Sequence, residues 1–145
     1  MVAKAERLDV QRAQAQAHNM LGMLANGDGV FDEAEGHLLR SVSLAEALGD
    51  TGMQAAALNN LAQVASARGD LPRALALTEQ ALALCAAQGD RHHEAALASN
   101  LADLFQAAGR SADAMPYLKR AVLIYAEIGV EAGAAQLAIW RLSDW

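Results

Sequence analysis

Four histidines and one cysteine are among the side chains of this sequence that could bind a metal or act as a nucleophile. His92 and His93 are adjacent, and neighbouring helical residues point about 100° apart, so they cannot easily share one ion. No set of cysteines or carboxylates accompanies them, and His18 and His37 lie in another repeat, so surface histidines are the favoured interpretation. Cys85 lies in an apolar stripe, where a thiol packs as a small hydrophobic group. With no phosphate-binding loop or catalytic triad pattern, the sequence predicts a non-enzyme with no metal and no cofactor.

A second kind of chemistry, hydrogen bonding to a peptide, is indicated by asparagines that recur just before a leucine. An asparagine amide offers both a donor and an acceptor, so a row of them can bind an extended backbone without reading its sequence. The same amides could equally bond the neighbouring helix, and both readings stay open. One turn further along come neutral or acidic residues, which favour a neutral or basic partner. The candidate peptide-binding residues are Asn19, Met23, Asn59, Asn60, Gln63, Ser99, Asn100 and Asp103.

These polar residues recur because the chain repeats itself every 40 residues. Residues 58–90 align without a gap on residues 18–50 and on residues 98–130. Gly49, Gly89 and Gly129 keep this spacing, and so do the glycines that lie 20 residues before each of them. A fixed step of this length is typical of stacked repeat proteins.

Each repeat contains two amphipathic segments separated by a glycine, which predicts a pair of antiparallel helices. Short loops join neighbouring elements and enforce this arrangement. We expect one domain over residues 1–145, with repeats at about 5–49, 50–89 and 90–129 and a last solitary helix. The expected helices cover about 5–26, 32–48, 52–67, 71–88, 91–107, 112–128 and 131–143.

Composition supports an all-α fold and excludes several partners. The chain is rich in alanine, the best helix former, and has only 4% aromatic residues. Its net charge of −6 disfavours nucleic acid and anionic membrane surfaces as partners. No apolar run is long enough to span a membrane, and a single cysteine cannot form an internal disulfide. A cytoplasmic location is therefore expected.

The repeated residues resemble the tetratricopeptide repeat family. That family has a leucine and a small residue on the first helix, a glycine near the turn, and two alanines seven residues apart on the second helix. The leucine and small-residue pairs here are Leu21-Gly22, Leu61-Ala62 and Leu101-Ala102. The turn glycines and first alanines are Gly29, Gly69 and Gly109 with Ala34, Ala74 and Ala114. The second small positions are Ser41, Ala81 and Ala121.

The resemblance is to the longer repeats found in kinesin light chains, Leu-Gly-Asn adaptors and bacterial transcription-regulator sensor domains. The helix-ending proline of the standard repeat is absent, and only Phe105 keeps an aromatic position of the first helix. The resemblance implies a right-handed αα superhelix of three helix pairs plus a solitary C-terminal helix, with first helices lining the concave side. It also implies a noncatalytic protein- or peptide-binding module. The alternative is a sensor or oligomerisation domain of a larger regulator.

The last segment carries the only two tryptophans of the chain, Trp140 and Trp145. By alignment it corresponds to a first helix, but no second helix follows to cover it. Exposed aromatic residues at such an end often mark an interface. We expect Leu137, Trp140 and Trp145 to form a homodimer contact, or else to fold back on the preceding helix.

Overall fold

The computed structural model describes residues 2–129, which form six α-helices and no strand within that range. They are α1 (Val2–Gly27), α2 (Phe31–Leu48), α3 (Thr51–Ala67), α4 (Leu71–Gln88), α5 (Arg91–Ala107) and α6 (Ser111–Ile128). The all-α prediction is confirmed, and each helix begins and ends within a few residues of its predicted limits. The predicted seventh helix, at about 131–143, lies outside the described residues, as do Leu137, Trp140 and Trp145.

The helix ends follow from a glycine and an aspartate that recur at the junctions. Gly49 has φ 67°, a left-handed conformation that side-chain-bearing residues rarely adopt, and its N–H bonds back to the Glu46 carbonyl oxygen at 3.1 Å. The next residue, Asp50, accepts a hydrogen bond from the Met53 N–H at 3.0 Å and so caps α3. Asp90 does the same for α5 through the His93 N–H.

The residues divide into two compact units, Met1–Leu84 and Cys85–Trp145. In the first unit α1 packs on α2, and α3 packs on both of them. In the second unit α5 packs on α6. Each unit therefore contains a helix pair of the kind that the repeat predicts. The single-domain organisation of residues 1–145 stays a prediction.

Small residues occupy the most buried positions of the second helices. Ala34, Ala74 and Ala114 are fully buried, and so are Ala81 and Ala121. The equivalent of these last two in the first repeat is Ser41, whose hydroxyl donates to the Ala15 carbonyl oxygen at 2.8 Å. Side chains of this size let helices approach closely, while Leu38, Leu101 and Leu118 fill the space beside them. None of the helices within residues 2–129 has the length and apolarity needed to cross a membrane.

Candidate peptide-binding site

In the first unit, two of the candidate asparagines bond each other. The Asn60 side chain on α3 donates from Nδ2 to Oδ1 of Asn19 on α1, at 2.8 Å. The bond joins two first helices across 41 residues of sequence and therefore holds α1 and α3 in register. It uses one N–H of Asn60 and the carbonyl of Asn19, so each amide retains further hydrogen-bonding capacity.

Beside this amide pair, the side chains one turn further along are accessible. Met23 is 53% exposed on α1, and Gln63 is exposed on α3. Asn59, the remaining candidate of this unit, is half-buried. The first unit thus combines an ordered amide pair with a methionine and a glutamine open to solvent, a set of neutral groups suited to apolar and hydrogen-bonding contacts.

The second unit carries its own set on α5. Ser99 is 7% exposed, whereas Asn100 and Asp103 are half-buried. Each of these three side chains, like Asn59, already has an interaction partner in the protein. Their role in binding a peptide stays a prediction.

A repeated polar position near the end of the first helices holds unpaired acceptors. Asn26 Oδ1 in the first unit and Gln106 Oε1 in the second are buried oxygen atoms without a hydrogen-bond partner within residues 2–129. The two residues are 80 apart in sequence and so occupy the same place in their repeats. A donor that reached either oxygen would remove the cost of leaving a buried acceptor unpaired.

The structure brings together two histidines that the sequence analysis did not pair. His18 on α1 and His37 on α2 stack with ring centroids 5.2 Å apart, and their Nδ1 atoms lie 2.9 Å from each other. This distance is a hydrogen bond in which one ring donates and the other accepts, so at least one ring is neutral. Burial, the nearby Arg40 and His37 together lower the pKa of His18.

Stability should depend on pH through this pair. Because the folded-state pKa of His18 is lowered, the unfolded chain binds the proton more readily between that pKa and the usual value of about 6.5. The stabilisation that neutral His18 contributes to the folded state is fully present above about pH 6.5 and is lost as the pH falls toward the lowered pKa. Thermal unfolding between about pH 5 and 7.5 should show this loss, and His18→Gln should flatten it. His92→Gln, the same change at an exposed histidine of the second unit, is the matched control.

The other candidates for metal binding or nucleophilic chemistry are Cys85, which is buried, and His92 and His93, which are exposed. Cys85 is 3% exposed, and burial, followed by Asp90 and Glu94, raises its pKa, which keeps it a thiol at neutral pH. His93 Nδ1 lies 2.7 Å from Asp90 Oδ2. Although burial opposes it, this contact and the His93 backbone bond lower the pKa of Asp90. Within residues 2–129, no group of three or more histidine, cysteine or acidic side chains is placed to hold a metal.

Clusters of charged side chains stabilise each unit, and the sequence pattern did not predict them. In the first unit, Arg68 donates to Asp32 at 2.6 Å and to Glu35 at 3.0 Å, and Arg73 also reaches Glu35 at 2.6 Å. The hydrogen bond to Asp32 is the main cause of a raised Arg68 pKa. These residues line a cavity of about 470 Å³ over Leu61 and Val64. The cluster ties the first turn of α2 to the α3–α4 junction.

In the second unit the central group is a buried carboxylate. The Glu94 side chain is 6% exposed and accepts from Arg120 at 2.9 Å and from Arg91 at 3.3 Å. Arg91 also pairs with Glu127 on α6, and this pairing is the main cause of its raised pKa. A cavity of about 570 Å³ lies beside the cluster, with Pro116, Leu123 and Ile124 among its apolar walls. Glu94 thus connects the start of α5 to α6.

Paired helices with repeated junctions define a helical-repeat protein. A model of the tetratricopeptide repeat matches residues 13–87 and again residues 53–127. The chain therefore belongs to the tetratricopeptide repeat family. No curated protein matches it.

Solved structures agree with this assignment. BtubC (BKLC) from P. vanneervenii is 26% identical, with a TM-score of 0.73 over 81% of this chain and 48% of that one. The TPR domain of Arabidopsis FLU is 14% identical, with a TM-score of 0.72 over 83% of this chain and 99% of that one. A Podosopora anserina protein with nearly identical TPR-like repeats, assigned as a kinesin light chain, is 21% identical, with a TM-score of 0.71 over 88% of this chain and 63% of that one.

The last two matches show the fold alone, since their identities are low. This chain spans about half the length of BtubC and less than two thirds of the Podosopora protein. The predicted similarity to kinesin light chain repeats is confirmed, and tetratricopeptide repeats in general mediate contacts between proteins.

Proposed function

We propose that this chain is a noncatalytic module that binds a protein or an extended peptide along its first helices. The observation that carries the proposal is the arrangement in the first unit, where exposed Met23 and Gln63 flank the Asn19–Asn60 amide pair. The amide pair fixes the spacing of α1 and α3, and the exposed residues supply apolar contact and hydrogen bonds. On α5 of the second unit, half-buried Asn100 and Asp103 are the proposed contacts, whereas Ser99 is 7% exposed and offers little contact area.

The charge of the partner is inferred from the candidate binding residues of this chain. The first-unit candidates are all neutral, Asp103 is acidic, and the chain carries a net charge of −6. A neutral or basic segment meets no repulsion from this set, whereas an acidic one would. We therefore propose a neutral or basic partner and no cofactor.

The test uses exposed residues, so that weaker binding cannot be confused with unfolding. Partners are captured with the intact chain, and the affinity of a captured peptide is measured by calorimetry. Gln63→Ala should weaken binding about fivefold, because one hydrogen bond to a neutral group contributes about 1 kcal/mol. Met23→Ala should also weaken it.

Two controls match these changes in residue type. Gln80→Ala on α4 and Met115→Ala on α6 remove the same side chains from exposed positions on second helices. They should leave the affinity unchanged. If all four variants bind equally well, the first helices of the array are not the binding surface.

Three finer expectations also remain proposals. A sensor or oligomerisation role within a larger regulator is the alternative function, and an ATPase or DNA-binding domain joined to this repeat would favour it. A homodimer through Leu137, Trp140 and Trp145 remains a prediction about residues outside the described range, as does a cytoplasmic location for the protein.

A further inference from the structure

One face of α1 is apolar and open to solvent. Val10, Met20 and Leu24 are 57%, 64% and 66% exposed, and Leu21 is 45% exposed. Ala13 and Ala17 lie between them and are also exposed. These six residues, here called the α1 outer face, lie on the side of the helix opposite Ala15 and Gly22, which are buried against α2.

Comparison with the next repeat indicates that this face is of the kind that a helix covers. The residues of α3 that match Ala17, Leu21 and Leu24 are Ala57, Leu61 and Val64, and none is more than 2% exposed. Leu61 and Val64 lie on the side of α3 that faces Asp32 and Glu35 of α2. The part of the α1 outer face formed by Ala17, Leu21 and Leu24 therefore has the chemistry of a helix–helix contact without a helix on it within residues 2–129.

We propose that the α1 outer face pairs with the same face of a second copy of this chain, with the two α1 helices antiparallel. Val10, Ala13, Ala17, Met20 and Leu24 follow the alternating three- and four-residue spacing of a coiled-coil seam. In the antiparallel register, Ala13 faces Leu24 of the other copy and Ala17 faces its Met20. Each large side chain thus meets a small one, which is the complementarity that a twofold contact requires.

Charge at the two ends of α1 selects the antiparallel orientation. Arg7 lies near the start of the helix and Asp28 directly follows its end, and both are exposed. The antiparallel register places Arg7 of each chain beside Asp28 of the other and so forms two opposite-charge pairs. A parallel register would place Arg7 of both copies at one end and Asp28 of both copies at the other, so that neither opposite-charge pair could form.

The length of α1 also favours the antiparallel pair. It has 26 residues, whereas α3 and α5 have 17 each. The additional residues precede the repeat. In the antiparallel pair this extension lies beside the α1–α2 turn of the other copy and contacts it.

The oligomeric state of the intact chain tests the pairing. Sedimentation at high micromolar concentration should give a dimer mass. Met20→Glu with Leu24→Glu should raise the dimer dissociation constant by more than about tenfold, because carboxylates would be buried in an apolar seam. The control is Leu39→Glu on α2, which changes a leucine of similar exposure, 48%, outside this face. It should leave the dimer intact, and helical circular dichroism should be equal in all three chains.

Charge reversal tests the orientation. Arg7→Asp and Asp28→Arg should each weaken the antiparallel dimer several-fold, and the two changes in one chain should restore it. In a parallel dimer Arg7 and Asp28 would lie at opposite ends of the pair, so neither single change would alter the affinity. Equal affinities of the single and double variants would therefore overturn the antiparallel arrangement.

Two results would overturn the pairing itself. One is a monomer at high micromolar concentration, which would leave the α1 outer face to a different occupant. The other is a dimer that tolerates Met20→Glu with Leu24→Glu but is lost in Trp140→Ala with Trp145→Ala. That pattern would assign the contact to the C-terminal segment.

Discussion

Replacing Gly22 with alanine should lower the free energy of unfolding by about 1–3 kcal/mol, although alanine is the better helix former. A Cβ atom at this position would lie 2.5 Å from Leu38 Cγ, 2.7 Å from Leu38 Cδ2 and 3.2 Å from the Ala34 carbonyl oxygen. Leu38 is fully buried, so it cannot move into solvent to make room. Relief of the clash requires α1 and α2 to separate, which loosens the contact on which the first unit depends.

Gly36 provides a matched control for this change. It lies within α2, and a Cβ atom there would have no neighbour within 4 Å. Gly36→Ala should therefore stabilise the protein by about 0.5–1 kcal/mol through its helix propensity alone. Chemical denaturation of the two variants measures the difference. If Gly22→Ala proved as stabilising as Gly36→Ala, the close approach of α1 and α2 at Gly22 would be wrong.

The repeat made the helices predictable, because their limits depend on local residues. Gly49 and Asp50 end one helix and cap the next through contacts within a few residues, and the same pair recurs at Gly89 and Asp90. The burial of Ala81 and Ala121 was predictable for the same reason, since the 40-residue step assigns each residue to a face. Local pattern and tertiary packing agree in these elements.

The candidate site was less predictable, because periodicity does not fix the distance between side chains on different helices. The sequence placed Asn19 and Asn60 on first helices, but it did not show that they bond each other. The His18–His37 contact likewise depends on the rotation of α1 against α2. Long-range contacts of this kind follow from packing, which the sequence pattern does not specify.

The role of Glu94 was not predicted for a different reason, because its residue type departs from the repeat. The equivalent residues of the earlier repeats are Gln14 and Gln54, which are neutral, and Gln54 is only half-buried. An acidic residue in the first turn of a helix is ordinary, because negative charge there suits the helix dipole. Only the structure shows that this carboxylate lies under two arginines from different helices.

Replacing Glu94 with alanine should destabilise the second unit by about 1–3 kcal/mol. The change removes the acceptor that Arg91 and Arg120 share and leaves a gap beside α6. The loss stays below that of a fully buried ion pair, because the two arginine side chains are 42% and 40% exposed and can turn toward water. Glu94→Gln keeps the shape but removes the charge, so its cost should lie between those of alanine and the unmodified chain.

The control is the Arg110–Asp113 pair of the same unit, which has a shorter distance of 2.8 Å but side chains more than half exposed. Asp113→Ala should cost less than about 1 kcal/mol, because exposed pairs contribute little. Urea unfolding of the three variants gives their order. Equal costs for Glu94→Ala and Asp113→Ala would show that burial adds nothing to the Glu94 cluster. A larger cost for Glu94→Ala would identify the buried carboxylate as the group that fixes the start of α5 against α6.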